Sequence, residues 1–447
     1  MISAWAITFI RAAITALAVA YLSKKLNANI AFLKGRLKVL ALSLLLIPLI
    51  VPPLVPAYAF SAFSFNFQTK PFPNEILYFL IMISRLLPVG ILILMILPSS
   101  MSKSSIFCDQ LLKKNMIRKF QSLSHLLICC LCVFLLAFNE YEIASLMRIK
   151  HWTVTLFNAH AGGLVMNLNR SFQMALFPAV TSLSAIFLIL KLLKNIKQSS
   201  FCESKKPGTL FFVITAISCL IGWIIPFIII LSNSFNGFQD AVSGSWMKAE
   251  YFNSLLISSI STGCCLAVIA ALFRSSGKLV LLFVIPGLFG ALLLGLSFIY
   301  IFNSSLLSSV KQSVLPLSLA LILYGFPIAI LMIIFFHKKN SAQDSTTTLL
   351  PASSRIEINW QNTYIPAILL SLPVFCYIWF DLTLSSMLAP ASFTTVFPRI
   401  YNLMHYSENE RLSATVLLSS ALPLMLYIIL FSLSWLIIKS CASRAIK

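Results

Sequence analysis

The chain has 447 residues, 59% of them hydrophobic and 10% charged, with a mean hydropathy of +0.94. Soluble domains carry about 25% charged residues, so no stretch is polar enough for a soluble catalytic domain, and the composition reads as membrane domain plus short loops. The net charge of +21 would point to nucleic acid in a soluble protein; here it is read as membrane topology, and no nucleic-acid partner is expected.

About 20 apolar residues suffice to cross a bilayer. Eleven such windows follow one another: 3–22, 37–58, 76–98, 122–146, 171–193, 209–232, 253–273, 279–302, 312–336, 363–387 and 413–438. The first carries Trp5 and Arg11 and has no basic n-region before it. Ala57-Tyr58-Ala59 mimics a signal-peptidase site but follows two full spans, so a cleaved signal peptide is not expected. The second span is marked by Pro48, Pro52, Pro53 and Pro56, and its counterpart at 279–302 by Pro286, Gly287, Gly290 and Gly295. Proline removes a helix hydrogen bond and kinks a span, and such helices survive where neighbours or a cavity satisfy the freed backbone groups. Pro48, Pro52, Pro286 and Gly290 are therefore candidate pathway-lining residues.

The loop 99–121 is expected to form a short helix through Ile106–Asn115. The fourth span bears Cys129, Cys130 and Cys132 and ends near Glu140 and Glu142; the tenth ends near Asp381. Acids at membrane depth are costly and face a cavity or a partner. Glu140 and Asp381 are further pathway candidates, with three readings open: wet at the interface, touching substrate or ion, or paired with Arg85 or a loop arginine. The apolar segments that follow, Leu146–Phe157 and Met387–Tyr401, are expected to be short amphipathic or re-entrant elements at the outer face.

These features recur because the chain is duplicated. Ile47-Pro48 falls on Ile285-Pro286 at a shift of 238 and Pro88 on Pro327 at 239. Glu140, Ser145, Trp152 and Thr153 fall on Asp381, Ser386, Phe393 and Thr394 at 241. The first repeat, 1–198, holds five spans. The second, 199–447, holds a leading span at 209–232 and five core spans. Matching spans are six apart, an even offset, so both copies cross in the same direction: a parallel repeat. The expected fold class is an all-α polytopic membrane protein with about 11 transmembrane helices in two parallel pseudo-symmetric repeats. The first repeat has no counterpart of the leading span: either the chain begins there naturally or its start lies elsewhere.

Lys and Arg alternate between loops. The set around 23–38, 99–121, 191–206, 274–278, 337–362 and 439–447 holds 23, and the opposite set holds 8. The first set is expected to be cytoplasmic, with the N-terminus outside and the C-terminus inside. Seven of the ten cysteines lie in spans and Cys108, Cys202 and Cys441 on the cytoplasmic side, where disulfides are rare. Neither a disulfide framework nor a metal site is expected, and the Cys129–Cys132 cluster reads as small packing residues.

Units of five core spans with a cytoplasmic helix between the third and fourth resemble the permease subunits of binding-protein-dependent ABC importers, and the fused halves resemble the iron(III)/thiamine branch. The resemblance covers nearly the whole chain. It is strongest at Met387-Leu388-Ala389-Pro390, Phe393-Thr394-Thr395 and Arg399–Tyr406, with Trp5 at the start of the first core span. It implies a bacterial inner-membrane permease, a substrate-binding protein docking outside, and two ATPase subunits inside, each receiving a coupling helix. The lipid bilayer is the remaining partner and no cofactor is implied. The family's coupling motif, Glu-Ala-Ala-x-x-x-Gly, is matched loosely by Asp109, Gln110, Leu111 and Asn115, and no stretch of 337–362 fits it. The chain has no Gly-x-x-x-x-Gly-Lys-Ser/Thr phosphate loop, so ATP hydrolysis is expected on a separate chain. An ion-coupled secondary transporter using Glu140, Glu142 or Asp381 is the alternative. A membrane transferase would need clustered acids, which twelve scattered Asp and Glu do not supply.

Overall fold

A computed structural model of the chain describes residues 2–66, 71–97, 116–161, 168–194, 207–242, 247–275, 277–305, 307, 309–340, 365–404 and 409–445. Among them every regular element is helical. Inside a bilayer no water satisfies N–H and C=O groups, so an apolar chain must pair them within each segment, as a helix does. The outer helix faces expose Ile10, Ile14 and Leu17, Phe212 and Ile228, or Met425 and Ile428, as suits lipid. Among the described residues seven helices are long and apolar enough to cross a membrane, and counting each of two bent pairs as one span gives nine. The protein is a multi-pass, all-α membrane protein.

The first copy comprises α1 (Ile2–Phe32), α2 (Gly35–Ile50), α3 (Leu54–Asn66), α4 (Pro71–Ile96), α5 (Met116–Phe138), α6 (Glu142–Leu146), α7 (Trp152–Ala161) and α8 (Leu168–Lys194). A long helix α9 (Thr209–Ser234) follows, with a π-helical turn at Leu220–Ile224, and then the short α10 (Phe238–Val242). The second copy repeats the order: α11 (Lys248–Ser275), α12 (Gly277–Leu288), α13 (Ala291–Phe302), α14 (Leu315–Asn340), α15 (Ile365–Trp379), α16 (Thr383–Leu388), α17 (Val396–Leu403) and α18 (Asn409–Ala445).

The second span is broken in both copies. Helices α2 and α3 meet at 73°, and α12 and α13 at 110°. The causes differ. In the first copy Val51 is extended (φ −71°, ψ 130°), as a residue before proline prefers, and Pro52 and Pro53 donate no hydrogen bond. In the second copy Gly290 turns the chain at φ 82°, ψ 161°, a region essentially restricted to glycine.

The chain folds as two compact units, Met1–Ile230 with Leu288–Ser308, and Leu231–Gly287 with Ser309–Lys447. In the first, α1 packs on α4 and α5, α4 on α5, and α5 on α8. In the second, α11 packs on α14 and α15, α14 on α15, and α15 on α18, the same arrangement made by the matching helices. Compact unit and sequence repeat do not coincide. Most of α9 and all of α13 stand in the first unit, α9 against α2 and α4, and α13 against α8. Leu26 and Ile30 of α1, Leu45 of α2, Leu87 and Ile91 of α4 and Phe211 of α9 form one buried cluster there.

Candidate functional site

The fourth core helix of each copy stops at an aromatic residue, Phe138 or Trp379, and the chain turns through an acid into a short helix. In the first copy the Glu140 carboxylate accepts the backbone N–H of Ile143 (2.8 Å) and of Ala144 (3.1 Å). In the second, the Asp381 carboxylate accepts the N–H of Leu384 (3.3 Å) and of Ser385 (2.8 Å) and the Ser385 hydroxyl (3.1 Å). The first N–H groups of a helix lack partners within it and carry a partial positive charge. A carboxylate there satisfies them and receives, in place of water, the donors that its own burial requires. Asp381 is only 4% exposed. The two acids cap α6 and α16.

A second contact recurs one step further on. The chain continues into α7 or α17, and the first N–H of that helix donates to a hydroxyl on the first core helix. Trp152 N–H meets Thr8 Oγ1 at 3.1 Å, and Val396 N–H meets Ser254 Oγ at 2.9 Å. The first core helix is pinned in turn to the last: Trp5 Nε1 donates to Thr181 Oγ1 (3.1 Å), and the Tyr251 hydroxyl pairs with Ser419 Oγ (2.8 Å). These pairs reset the register of the duplication. Glu140 and Trp152 are 12 residues apart and Asp381 and Val396 are 15 apart. The structural partner of Trp152 is thus Val396 rather than Phe393, with three extra residues after the acid in the second copy.

This segment of the first copy carries further polar contacts. Arg11 grips Glu75 through two hydrogen bonds (2.8 and 2.6 Å), donates to the Lys150 carbonyl (3.1 Å) and lies over the Tyr78 ring. Asn74 donates to the Met147 carbonyl at 3.0 Å, and Trp152 Nε1 to the Phe138 carbonyl at 2.6 Å. His151 is buried, with Nδ1 2.6 Å from Thr153 Oγ1, which itself donates to the Glu140 carbonyl. Burial, and then the Arg11 charge, hold His151 down to about 3, so its ring is neutral at physiological pH. In the second copy Arg399 stands 3.9 Å from Glu250, and Asn253 donates to the Thr394 carbonyl (3.1 Å).

The proline and glycine pathway candidates lie at or just before the two breaks. Pro48 is buried near the end of α2, and Pro52 is buried at the break itself. Gly222, in the π-helical turn of α9, comes so close that a Cβ there would lie 3.0 Å from Pro48 Cγ and would also meet Ser84 Oγ. Ser84 donates to the Ser218 carbonyl at 2.7 Å, just before the π turn, where the regular ladder is interrupted. Pro286 is half-buried in α12, and its neighbour Gly287 fits tightly beside Pro327, the proline that matches Pro88. Gly290 faces Asn139, whose Nδ2 lies 3.5 Å from the Leu288 carbonyl. Asp109, Gln110, Leu111 and Asn115 lie outside the described residues. Cys129 donates to the Gly90 carbonyl at 3.6 Å, a packing contact between neighbouring helices.

Thr8, Ser254, Asn139, Gly222 and the Arg11–Glu75 pair were not singled out by sequence. One signal was available for the first two: each hydroxyl stands three residues after the aromatic, Trp5 or Tyr251, that opens its core helix. No protein-family model, curated protein or solved structure matches the chain.

Proposed function

We propose that the chain is the permease subunit of a binding-protein-dependent ABC importer of the bacterial inner membrane, forming the path for a small solute, iron(III)-type by the branch it resembles. The observation that carries this reading is a recurrence. In both copies, and in the same order, a span broken near a proline is followed by a short helix capped by a carboxylate. The broken spans supply the backbone irregularity that a pathway uses. The capped helices and the segments pinned to Thr8 and Ser254 give the outer face a rigid surface for a docking protein. Energy comes from two separate ATPase subunits on the cytoplasmic face, reached through Asp109–Asn115 in the first copy. The N-terminus lies outside and the C-terminus inside.

An ion-coupled transporter would require Glu140, Glu142 or Asp381 to exchange protons during turnover. Weighing against it, Glu140 and Asp381 hold helix ends together. The deciding experiment is purification from the native membrane followed by reconstitution. The importer reading expects an ATPase to co-purify and uptake to need ATP and a binding protein. Uptake driven by a pH gradient with no ATPase present would overturn it.

A further inference from the structure

Five cations stand at the corner between α1 and α2. Lys24, Lys25, Lys34 and Arg36 are exposed and Lys38 half-exposed. The sequence has no Asp or Glu before Glu75, and among the described residues none of the five cations is in an ion pair. The corner is also where the first copy is longer. Thr8 and Pro48 are 40 residues apart, while their counterparts Ser254 and Pro286 are 32 apart. The shorter corner carries only Arg274 and Lys278.

The basic corner has an apolar floor. Gly35, Arg36, Leu37, Val39, Leu40 and Ser43 line an open groove of about 730 Å³ along the outward face of α2. Leu37 and Val39 are each 65% exposed and Leu40 57%. The opposite face of α2 is fixed, since Leu45 sits in the buried cluster with Leu26, Ile30, Leu87, Ile91 and Phe211, and Ala41 and Leu42 pack against it. Lys25 stands over the exposed ring of Tyr21, 5.0 Å from its centre, as an interfacial aromatic and a snorkelling lysine do. No side chain caps the first turn of α2, so its N–H groups add to the positive field.

We infer that this corner binds an anionic phospholipid, with the headgroup phosphate at Lys34 and Arg36 in the field of Lys38, and an acyl chain along Leu37, Val39 and Leu40. Charge complementarity selects the headgroup. The alternation of cations with large apolar side chains selects a lipid over a soluble acidic protein, which would leave the leucines and valine without an apolar partner. The inference does not depend on what the protein transports.

The test uses the purified full chain and native mass spectrometry with phosphatidylglycerol and phosphatidylcholine in equal amounts. The wild-type chain is expected to retain phosphatidylglycerol over phosphatidylcholine by at least about fivefold, the effect of roughly one well-placed cation. A K34Q/R36Q/K38Q variant is expected to lose the preference, while K191Q/K194Q, neutralised at the end of α8, keeps it. L37S/L40S is expected to retain less of both lipids, and excess inorganic phosphate to displace neither. An unchanged melting temperature without anionic lipid identifies the triple variant as folded. Undiminished preference in the folded triple variant, equal loss in K191Q/K194Q, or displacement by phosphate would each overturn the site. So would a triple variant that keeps its lipid yet loses a bound protein.

Discussion

At the scale of single residues, a shared position has turned into a shared bond. Sequence placed Glu140 and Asp381 at equivalent points but not their partners, because those partners are backbone N–H groups three and four residues downstream, which every residue type supplies. The cap assignment has a sharp consequence at Asp381. Asparagine caps helices about as well as aspartate, whereas losing the cap costs about 1–2 kcal/mol. Asp381→Asn keeps one acceptor oxygen but turns an amide NH2 toward a second donor, so it is expected to melt between wild type and Asp381→Ala and to keep transport. A proton carrier would behave differently, with both variants inactive, so transport by the Asn variant separates the roles. His151 gives a second prediction. Its folded value of about 3 lies below the ordinary 6.5, so the unfolded segment takes up a proton first as the pH falls. Stability is flat above about pH 6.5 and declines from there toward pH 3, as linkage requires. Hydrogen exchange of the Trp152–Ala161 amides should accelerate over that window and do so much less in His151→Gln. Exchange independent of pH after correction for intrinsic rates would remove the histidine from this role.

At the scale of elements, the broken second span was legible in one respect and hidden in another. Pro48 and Pro286 announce an interruption in both copies, because proline's missing N–H acts locally. The sharper bend comes four residues after Pro286, at Gly290, where no proline stands, and glycine alone does not reveal its dihedral angles. Two constraints meet at that residue. Its backbone lies where only glycine is at ease, worth about 1–3 kcal/mol for another residue, and a Cβ there would sit 2.6 Å from Asn139 Cβ. Gly290→Ala is expected to lower the melting temperature, and adding Asn139→Gly should recover only the part due to the clash. Full recovery would mean that the backbone carries no strain; no loss in the single variant would mean that the bend does not depend on glycine. The π-helical turn of α9 was invisible for a related reason. Gly222 needs its missing side chain only because Pro48 and Ser84, over 130 residues away in sequence, press against it.

At the scale of the whole molecule, duplication made the element order readable, since each half tests the other: an acid, a turn and a short helix in one copy foretell the same in the other. It misleads about which segments pack together. A repeat boundary at 198 follows from matching residues, yet packing follows shape and burial. The segment Thr209–Ile230 shares a unit with the first copy, held by the Ser84–Ser218 hydrogen bond, the Gly222 approach to Pro48 and the burial of Phe211 beside Leu45 and Ile91. A fragment of residues 1–198 therefore exposes the faces of α2 and α4 that α9 covers, whereas residues 1–234 keep them covered. Expressed in membranes and extracted in the same detergent, the shorter fragment is expected to melt about 4–8 °C lower, the shift for about 2 kcal/mol in a domain of this size. Gly222→Leu in the longer fragment should reproduce most of the loss by wedging α9 away. If both fragments melt alike, α9 is only a tether between copies, and the match between compact unit and stability fails. If they differ as expected, the span that leads the second repeat in sequence is a structural member of the first unit.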